Sequence, residues 1–128
     1  MKREIKNWLD SAQYDLDTAE HLFNTERYVY TIFMCHLALE KILKAKIEEI
    51  TDKTPLKTHN LRYLIKLSTL EPPDYMFNFL SKLSDVSIPT RYPDNFDELL
   101  KSYDKKAANT YLTQTKEAFK WIKKSLKQ

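Results

Sequence analysis

The pattern of apolar positions is most distinctive over residues 27–50. Apolar side chains recur there on every side of a helix drawn at about 100° per residue. A helix that is apolar all round is surrounded by other elements, so this segment is predicted to be the central helix of a bundle. His36, Glu40 and Lys44 nevertheless stand within it, each four residues from the next, and form one polar stripe. Because buried charges have to be paired, this stripe is the first place to look for function.

Four further segments flank this one and are amphipathic, with apolar residues at three- and four-residue steps. Residues 87–103 contain two prolines and little periodicity, and are predicted to be a long loop. The pattern predicts one all-α domain over residues 1–128, an up-and-down bundle of about five helices. These helices run from about Arg3 to Asn24, from about Arg27 to Ile50, from a Thr58 N-cap to about Leu70, from an Asp74 N-cap through Val86, and from about Asp104 to Lys127.

Glycine is absent from the sequence, and cysteine occurs once, as Cys35. The lack of glycine excludes phosphate-binding loops that are built on glycine, and it disfavours a β-rich fold with tight turns. A single thiol forms no internal disulfide, and no CxxC pair is present to hold zinc. No apolar run is long enough for a membrane span, and the sequence begins with an amphipathic helix rather than a signal peptide. We therefore expect a cytoplasmic protein without membrane association.

The net charge of +3 is concentrated near the end of the sequence. Residues 101–128 contain eight lysines against two acidic residues, Asp104 and Glu117. Most of these lysines fall on the side of the last helix opposite its apolar face. Such a stripe is often only a solvated face, but the scarcity of interleaved acidic residues leaves a nucleic-acid contact open as the alternative.

Glu40 and Lys44 stand four residues apart in the order that favours an ion pair on a helix. They form either a partly buried pair that fixes helix packing or a site for the phosphate of a nucleotide or nucleic acid. Asp15 lies at the rim of the apolar face of the first helix. We expect it to meet a cation there, with Lys44 and Arg91 as candidates. His36 is expected to be a hydrogen-bonded packing residue.

Two further positions suggest anion binding. His59 follows the predicted Thr58 cap at a helix N-terminus, where free N–H groups favour anions. Arg91 and Tyr92 lie between two prolines that stiffen the backbone. Arginine matches phosphate geometry and tyrosine can stack on a base; the alternative is that Arg91 pairs with a carboxylate and anchors the loop. The three histidines lie on separate helices, and without a Glu-x-x-His pair we expect no metal or other cofactor.

An ordered set of short motifs spans residues 8–94. It consists of Trp8, Leu9, Ala12, Asp15 and Leu16, then Ala38, Glu40, Lys41, Lys44 and Ala45, then Thr58, His59, Leu61 and Leu64, and finally Arg91, Tyr92, Pro93 and Asp94. Together these motifs resemble the HEPN domain, a helical family often encoded beside minimal nucleotidyltransferases. The resemblance implies an up-and-down helical bundle, commonly dimeric, with nucleotide- or RNA-related roles in defence and toxin–antitoxin systems.

The sequence departs from that family at one important place. Ribonuclease members of the family carry an arginine followed four to six residues later by a histidine. Here Asn95, Phe96 and Asp97 occupy those positions after Arg91, and no histidine follows His59. Because metal-free RNA cleavage needs a positioned acid–base group, we expect a non-nucleolytic branch with no catalytic residue.

The sequence thus predicts a non-catalytic module that binds a nucleotide or nucleic acid. We expect it to form a homodimer and to be the partner of a minimal nucleotidyltransferase in a toxin–antitoxin or defence setting. In this prediction Lys44 and Arg91 contact phosphate, and Tyr92 stacks on or bonds a base. Glu40 orients Lys44, and His59 completes the site. One alternative is a metal-independent ribonuclease with a rearranged site around Arg91 and His59; the other is a structural interaction protein whose buried pairs only specify the fold.

Overall fold

The computed structural model describes residues 1–127 and contains six α-helices and no β-strand within that range. The prediction of an all-α helical fold is confirmed, with six helices rather than five. In the same range no helix is both long and apolar enough to span a bilayer. The helices are α1 (Arg3–Asn24), α2 (Tyr28–Thr51), α3 (Leu61–Leu67), α4 (Asp74–Arg91), α5 (Phe96–Ser102) and α6 (Lys105–Ser125).

The apolar helix α2 lies at the centre of the bundle, as its pattern predicts. It packs against α1, α3, α4 and α6, and its contact with α1 is the most extensive. The side chains of Ile32, Leu39, Ile42 and Leu43 are completely buried. Burying one such side chain is worth about 1.5–3 kcal/mol, so the packing around α2 supplies much of the core.

Helix α3 is shorter than predicted and begins later. Asn60 is its N-cap and accepts a hydrogen bond from the Tyr63 N–H at 3.2 Å. The prediction of Thr58 as the N-cap is wrong: Thr58 lies two residues before the cap, and its hydroxyl accepts a hydrogen bond from the Asn60 N–H at 3.2 Å. Because threonine and asparagine are both common N-cap residues, the sequence alone does not show at which of the two positions the helix begins. The helix ends at Leu67, and Thr69 beyond it takes a left-handed φ of 60°.

The prediction of a loop over residues 87–103 is wrong, because α4 continues through Pro89 to Arg91 and α5 follows it. Pro89 lies in the last turn of α4 and has no N–H to donate to the carbonyl one turn earlier, so α4 loses one hydrogen bond there and continues for only two more residues. The hydroxyls of Ser87 and Thr90 donate to backbone carbonyls one turn earlier and support this turn. Helix α5 has only seven residues, and none of them is buried. Such a short, exposed helix has no apolar face whose repeat could be recognised in the sequence.

Polar side chains define the starts of the later helices. The prediction of Asp74 as the N-cap of α4 is wrong, because Pro73 occupies the cap position. Asp74 is instead the first helical residue, where its negative charge interacts favourably with the helix dipole. Asn95 caps α5 by accepting from the Glu98 N–H at 3.1 Å. Asp104 caps α6 with a similar bond at 3.0 Å.

Helix α6 has the two faces that its sequence predicts. Its apolar face packs on α2 and to a lesser extent on α1 and α4. The buried residues are Ala108, Tyr111, Leu112, Thr115, Ala118, Phe119 and Ile122. The lysines of the helix and of the turn after it are exposed: Lys105, Lys106, Lys116, Lys120, Lys123, Lys124 and Lys127.

Candidate functional site

The polar stripe of α2 centres on the carboxylate of Glu40. Its side chain is only 6% exposed. Both oxygens accept hydrogen bonds, Oε2 from Lys44 Nζ at 3.1 Å and Oε1 from His59 Nδ1 at 2.8 Å. Lys44 lies one turn further along α2, whereas His59 belongs to the segment that precedes α3. The buried charge is therefore compensated by donors from two different parts of the chain, as burial of a carboxylate requires.

The Lys44 ammonium is enclosed on a second side by an aromatic ring. Its Nζ lies 5.7 Å from the ring centroid of Trp8 on α1, within the range of a cation–π interaction. The Trp8 indole N–H in turn donates to Glu48 at 3.1 Å. Lys44 is thus buried and paired with Glu40, the geometry expected from their spacing.

Asp15 takes a different partner from those expected. Its Oδ2 lies 2.8 Å from the Nζ of Lys41, not beside Lys44 or Arg91. The antiparallel packing of α1 on α2 brings Asp15 to the half-buried Lys41, while the Lys44 ammonium is already held by Glu40. The expected pairing of Asp15 is wrong, and this residue links α1 to α2 instead.

The ring of His59 is oriented by Glu40 and remains accessible, with 58% of the side chain exposed. A neutral imidazole that donates from Nδ1 to a carboxylate leaves Nε2 as a hydrogen-bond acceptor. The ring borders a polar cleft of about 180 Å³ between α3 and α4, which Arg62, Ser84 and Ser87 also line. Arg62 is engaged there by Asp85 at 2.8 Å. The arrangement presents one oriented histidine to a small polar cleft.

His36 joins α2 to the segment before α3 and is completely buried. Its Nε2 lies 2.9 Å from the backbone oxygen of His59, so this nitrogen carries the proton and donates. Burial is the main cause that lowers the pKa of His36 to about 4, and the nearby Arg91 charge acts in the same direction; Glu40 and the carbonyl of His59 oppose them. His36 is therefore a neutral, hydrogen-bonded packing residue, as expected.

Arg91, the last residue of α4, stacks on an aromatic ring of α2. Its guanidinium carbon lies 4.9 Å from the ring centroid of Phe33. Within residues 1–127 no carboxylate lies at ion-pair distance from Arg91, and its buried Nη2 has no hydrogen-bond partner. The alternative in which Arg91 anchors the loop through a carboxylate is therefore not realised. Tyr92 follows it as the C-cap of α4 and is 71% exposed.

The structure connects part of the predicted site directly. Arg91 forms no hydrogen bond or ion pair with Glu40, Lys44 or His59, although its charge contributes to lowering the pKa of the buried His36. Sequence reasoning did not identify Phe33 as the platform for Arg91, because an aromatic residue on an apolar helix looks the same in the sequence whether it faces the core or a cation. The directly connected residues are Glu40, Lys44 and His59.

The fold has counterparts among known proteins. A family model described as "HEPN domain" matches residues 5–126. The crystal structure of TT1696 from Thermus thermophilus has a TM-score of 0.80 and 21% identity, covering 98% of this chain and 100% of that chain. The crystal structure of ST0689, an archaeal HEPN homologue, has a TM-score of 0.77 and 22% identity, covering 99% and 100% respectively. No curated protein sequence matches the chain.

Proposed function

Because the chain belongs to the HEPN domain family, whose model spans residues 5–126, we propose that it is a non-catalytic module that binds the phosphate groups of a nucleotide or nucleic acid. HEPN domains are helical modules of nucleotide-binding and ribonuclease-type proteins. In this proposal Arg91 is the principal phosphate contact.

The observation that carries the proposal is that the half-buried Arg91 has no carboxylate partner among residues 1–127. Its guanidinium is fixed on the Phe33 ring at 4.9 Å, yet it forms no ion pair with the described residues. A planar guanidinium that is held in place but not neutralised matches the oxygens of a phosphate and loses little side-chain freedom on binding.

The other site residues support this contact in different ways. Lys44 holds the Glu40 carboxylate, which orients the ring of His59. An imidazole that also carries a proton on Nε2 donates it to a phosphate while its Nδ1–H stays on the carboxylate. Tyr92, exposed beside Arg91, bonds or stacks on the remainder of the ligand. Lys44 contributes by positioning rather than by direct contact, because its side chain is only 8% exposed.

The biological partner in this proposal is a minimal nucleotidyltransferase of a toxin–antitoxin or defence system. Family membership supports it, as does the use of the positions after Arg91: Asn95 caps α5, and Phe96 and Asp97 begin that helix. A module without a histidine at these positions relies on a partner for chemistry. We expect a gene for a minimal nucleotidyltransferase beside the gene for this chain, and the two products, when co-expressed, should form a complex in size-exclusion chromatography. The absence of such a gene, or separate elution at micromolar concentration, would contradict the pairing.

Titration calorimetry with inorganic triphosphate at low salt tests the phosphate site. Arg91→Gln should raise Kd at least about tenfold, because a hydrogen bond to a charged group is worth about 1.5–3 kcal/mol. Arg3→Gln is the matched control, since it removes the same charge from the exposed start of α1 and should leave Kd within about twofold. Equal Kd values for Arg91→Gln and wild type would refute the proposal.

One observation favours a metal-independent ribonuclease as the second candidate. The buried Glu40 carboxylate holds His59 Nδ1 at 2.8 Å, the arrangement in which a carboxylate orients a general base. Denaturing gels of single-stranded RNA incubated with the purified chain separate the two candidates. The binding module leaves the RNA intact; cleavage that is lost in His59→Ala and retained in the control His21→Ala would establish the ribonuclease.

A further inference from the structure

The polar cleft between α3 and α4 contains a histidine whose two ring nitrogens differ in their surroundings. Nδ1 of His59 donates to Oε1 of Glu40 at 2.8 Å, whereas no hydrogen bond engages Nε2 within residues 1–127. The ring lines the cleft and is 58% exposed, while the buried Glu40 is not part of the cleft wall. Nε2 of the neutral ring therefore presents a lone pair to a space of about 180 Å³.

The carboxylate of Glu40 does more than select the tautomer of His59. An imidazole that forms a covalent bond through Nε2 acquires positive charge, and a carboxylate at 2.8 Å from Nδ1 stabilises that charge. Lys44 binds the other oxygen of the carboxylate and so fixes its position. An accessible lone pair, a fixed tautomer and a counter-charge for the ring are the features of a nucleophilic histidine.

Two polar side chains that line the cleft have hydrogen-bond donors to spare. Ser84 is 8% exposed, and its hydroxyl accepts from a backbone N–H at 3.1 Å but donates to no group in the described part of the chain. Asn60 uses its side-chain oxygen as the cap of α3, which leaves its amide N–H groups free to donate. Arg62 adds a positive charge that its pairing with Asp85 offsets. Donors of this kind suit the oxygens of a phosphoryl group in transfer, over which negative charge is spread.

We propose that His59 is a phosphoryl acceptor that is modified on Nε2 by a small acyl phosphate. The lone pair of Nε2 attacks phosphorus, and the N–P bond forms as the P–O bond to the acyl group breaks. The carboxylate product leaves with the electron pair of that bond. Nδ1 keeps its proton, which stays hydrogen-bonded to Glu40, so the step requires no further base.

The size of the cleft limits the donor to a small molecule. Its volume of about 180 Å³ is below the range of about 300–1,000 Å³ found for drug-sized ligands, so it admits a phosphoryl group with a short acyl chain. Arg91 is not part of the cleft wall. The modification therefore goes beyond the proposed binding function and does not depend on the phosphate contact at Arg91.

Incubation of the purified chain with acetyl phosphate, followed by peptide mass spectrometry, measures transfer to each histidine. His59 should gain an acid-labile phosphoryl group at least about tenfold faster than His21, the internal control on the exposed face of α1. Ser84→Ala should slow transfer to His59 about tenfold, because it removes a donor to the phosphoryl oxygens. Ser81→Ala, one turn earlier on α4 and outside the cleft, should leave the rate within about twofold.

Glu40 is a positioning residue in this reaction, and the tautomer of His59 is its own readout. The double variant Glu40→Gln with Lys44→Met leaves no unpaired buried charge, but its amide can donate to Nδ1 as well as accept from it. Part of the His59 rings then carry the proton on Nε2 and offer no lone pair to the cleft. Nitrogen NMR shifts should show mixed tautomers, and transfer should slow at least about tenfold.

The outcomes are decisive for His59. Equal rates of transfer to His59 and His21 would overturn the proposal, as would a phosphoryl group found on Nδ1 or on Ser84. Failure of acetyl phosphate to label His59 in the folded wild-type chain would overturn it as well. A double variant of Glu40 and Lys44 with the wild-type rate would show that the carboxylate does not activate the ring, which also contradicts the proposal. Circular dichroism confirms that each variant keeps its helical content.

Discussion

Three side chains keep the buried charge of Lys44 in place. Glu40 neutralises the ammonium at 3.1 Å, the Trp8 ring covers it at 5.7 Å, and His59 occupies the other oxygen of Glu40. Removing one member of such a group leaves the charge of another in a medium of low dielectric constant. A single substitution in the Lys44–Glu40 pair should therefore lower the stability of the fold strongly, whereas a double substitution that removes both charges should lower it less.

The Lys44→Ala variant should lower the free energy of unfolding by about 3–5 kcal/mol, the usual cost of breaking a buried pair. The double variant Lys44→Met with Glu40→Gln should recover much of that loss, because no charge stays unpaired. Urea denaturation measures both. Lys6→Ala is the control, since its pair with Asp10 is exposed and is worth less than about 1 kcal/mol. If Lys44→Ala melts within a degree or two of wild type, the pair is not buried in solution.

Acid should destabilise the chain through His36. Burial lowers the pKa of this residue from 6.5 to about 4 in the folded chain, so between these values the unfolded state binds the proton more strongly. The contribution to stability is complete above pH 6.5 and is lost as the pH falls towards 4, up to about 3 kcal/mol. The free energy of unfolding, measured by urea denaturation at several pH values in this range, should rise more steeply with pH in wild type than in His36→Gln. The exposed His21→Gln is the control and should keep the slope of wild type. Identical slopes in wild type and His36→Gln would contradict this assignment.

At the scale of elements, the sequence pattern predicted the long helices and the short α3 but missed α5, which is equally short. The apolar stripes of α1, α2 and α6 are long enough to define their faces and, through packing, their burial. Helix α5 covers two turns without a buried residue, and the prolines and weak periodicity after Val86 placed the end of α4 five residues before its last residue, Arg91. Both errors arise where local hydrogen bonds, not an apolar face, decide the structure.

In the candidate site, contacts within one helix were predictable from the sequence, whereas contacts between elements were not. The Glu40–Lys44 pair was predictable because their spacing on one helix fixes their distance. The bond from His59 to Glu40 was not, since it depends on how the segment between α2 and α3 folds back on α2. The stacking of Arg91 on Phe33 joins α4 to α2 and requires knowledge of how those helices pack.

The absence of glycine leaves residues with side chains in left-handed backbone positions, of which Thr69 at φ 60° is a β-branched example. Thr69→Gly should raise the free energy of unfolding by about 0.5–1 kcal/mol, because relief of the strain exceeds the extra freedom of glycine in the unfolded chain. Thr113→Gly, on the exposed face of α6, should lower it by about 0.5 kcal/mol. Thermal melts measure both, and a lower Tm for Thr69→Gly would show that this turn is not strained.

At the scale of the whole molecule, several large apolar side chains remain exposed, among them Tyr30, Ile88, Tyr92, Phe96 and Leu100. Exposed apolar area of this kind often marks a subunit interface, so we expect a homodimer. Multi-angle light scattering should give about twice the chain mass of 15.3 kDa. A mass near that of one chain at micromolar concentration would remove the dimer from the account.

The exposed lysines of α6 bear on how a nucleic acid would bind. Lys116 pairs with Glu20, whereas Lys120, Lys123 and Lys124 form no ion pair with the described residues. Contacts from these lysines to phosphates are independent of sequence and weaken with salt. Arg91 differs from these lysines because its guanidinium is held on the Phe33 ring of α2. Substitution of Arg91 and substitution of the lysines should therefore separate the phosphate contact at Arg91 from the contacts of the lysine face.

The most direct test of the central claim, that Arg91 holds a phosphate group, is the salt dependence of binding to a short single-stranded RNA, followed by fluorescence anisotropy. For wild type the logarithm of the association constant should fall linearly with the logarithm of salt concentration. Arg91→Gln should weaken binding about tenfold or more at low salt and reduce the slope by about 0.7, the contribution of one phosphate contact. An Arg91→Gln variant with the affinity and slope of wild type would contradict the claim.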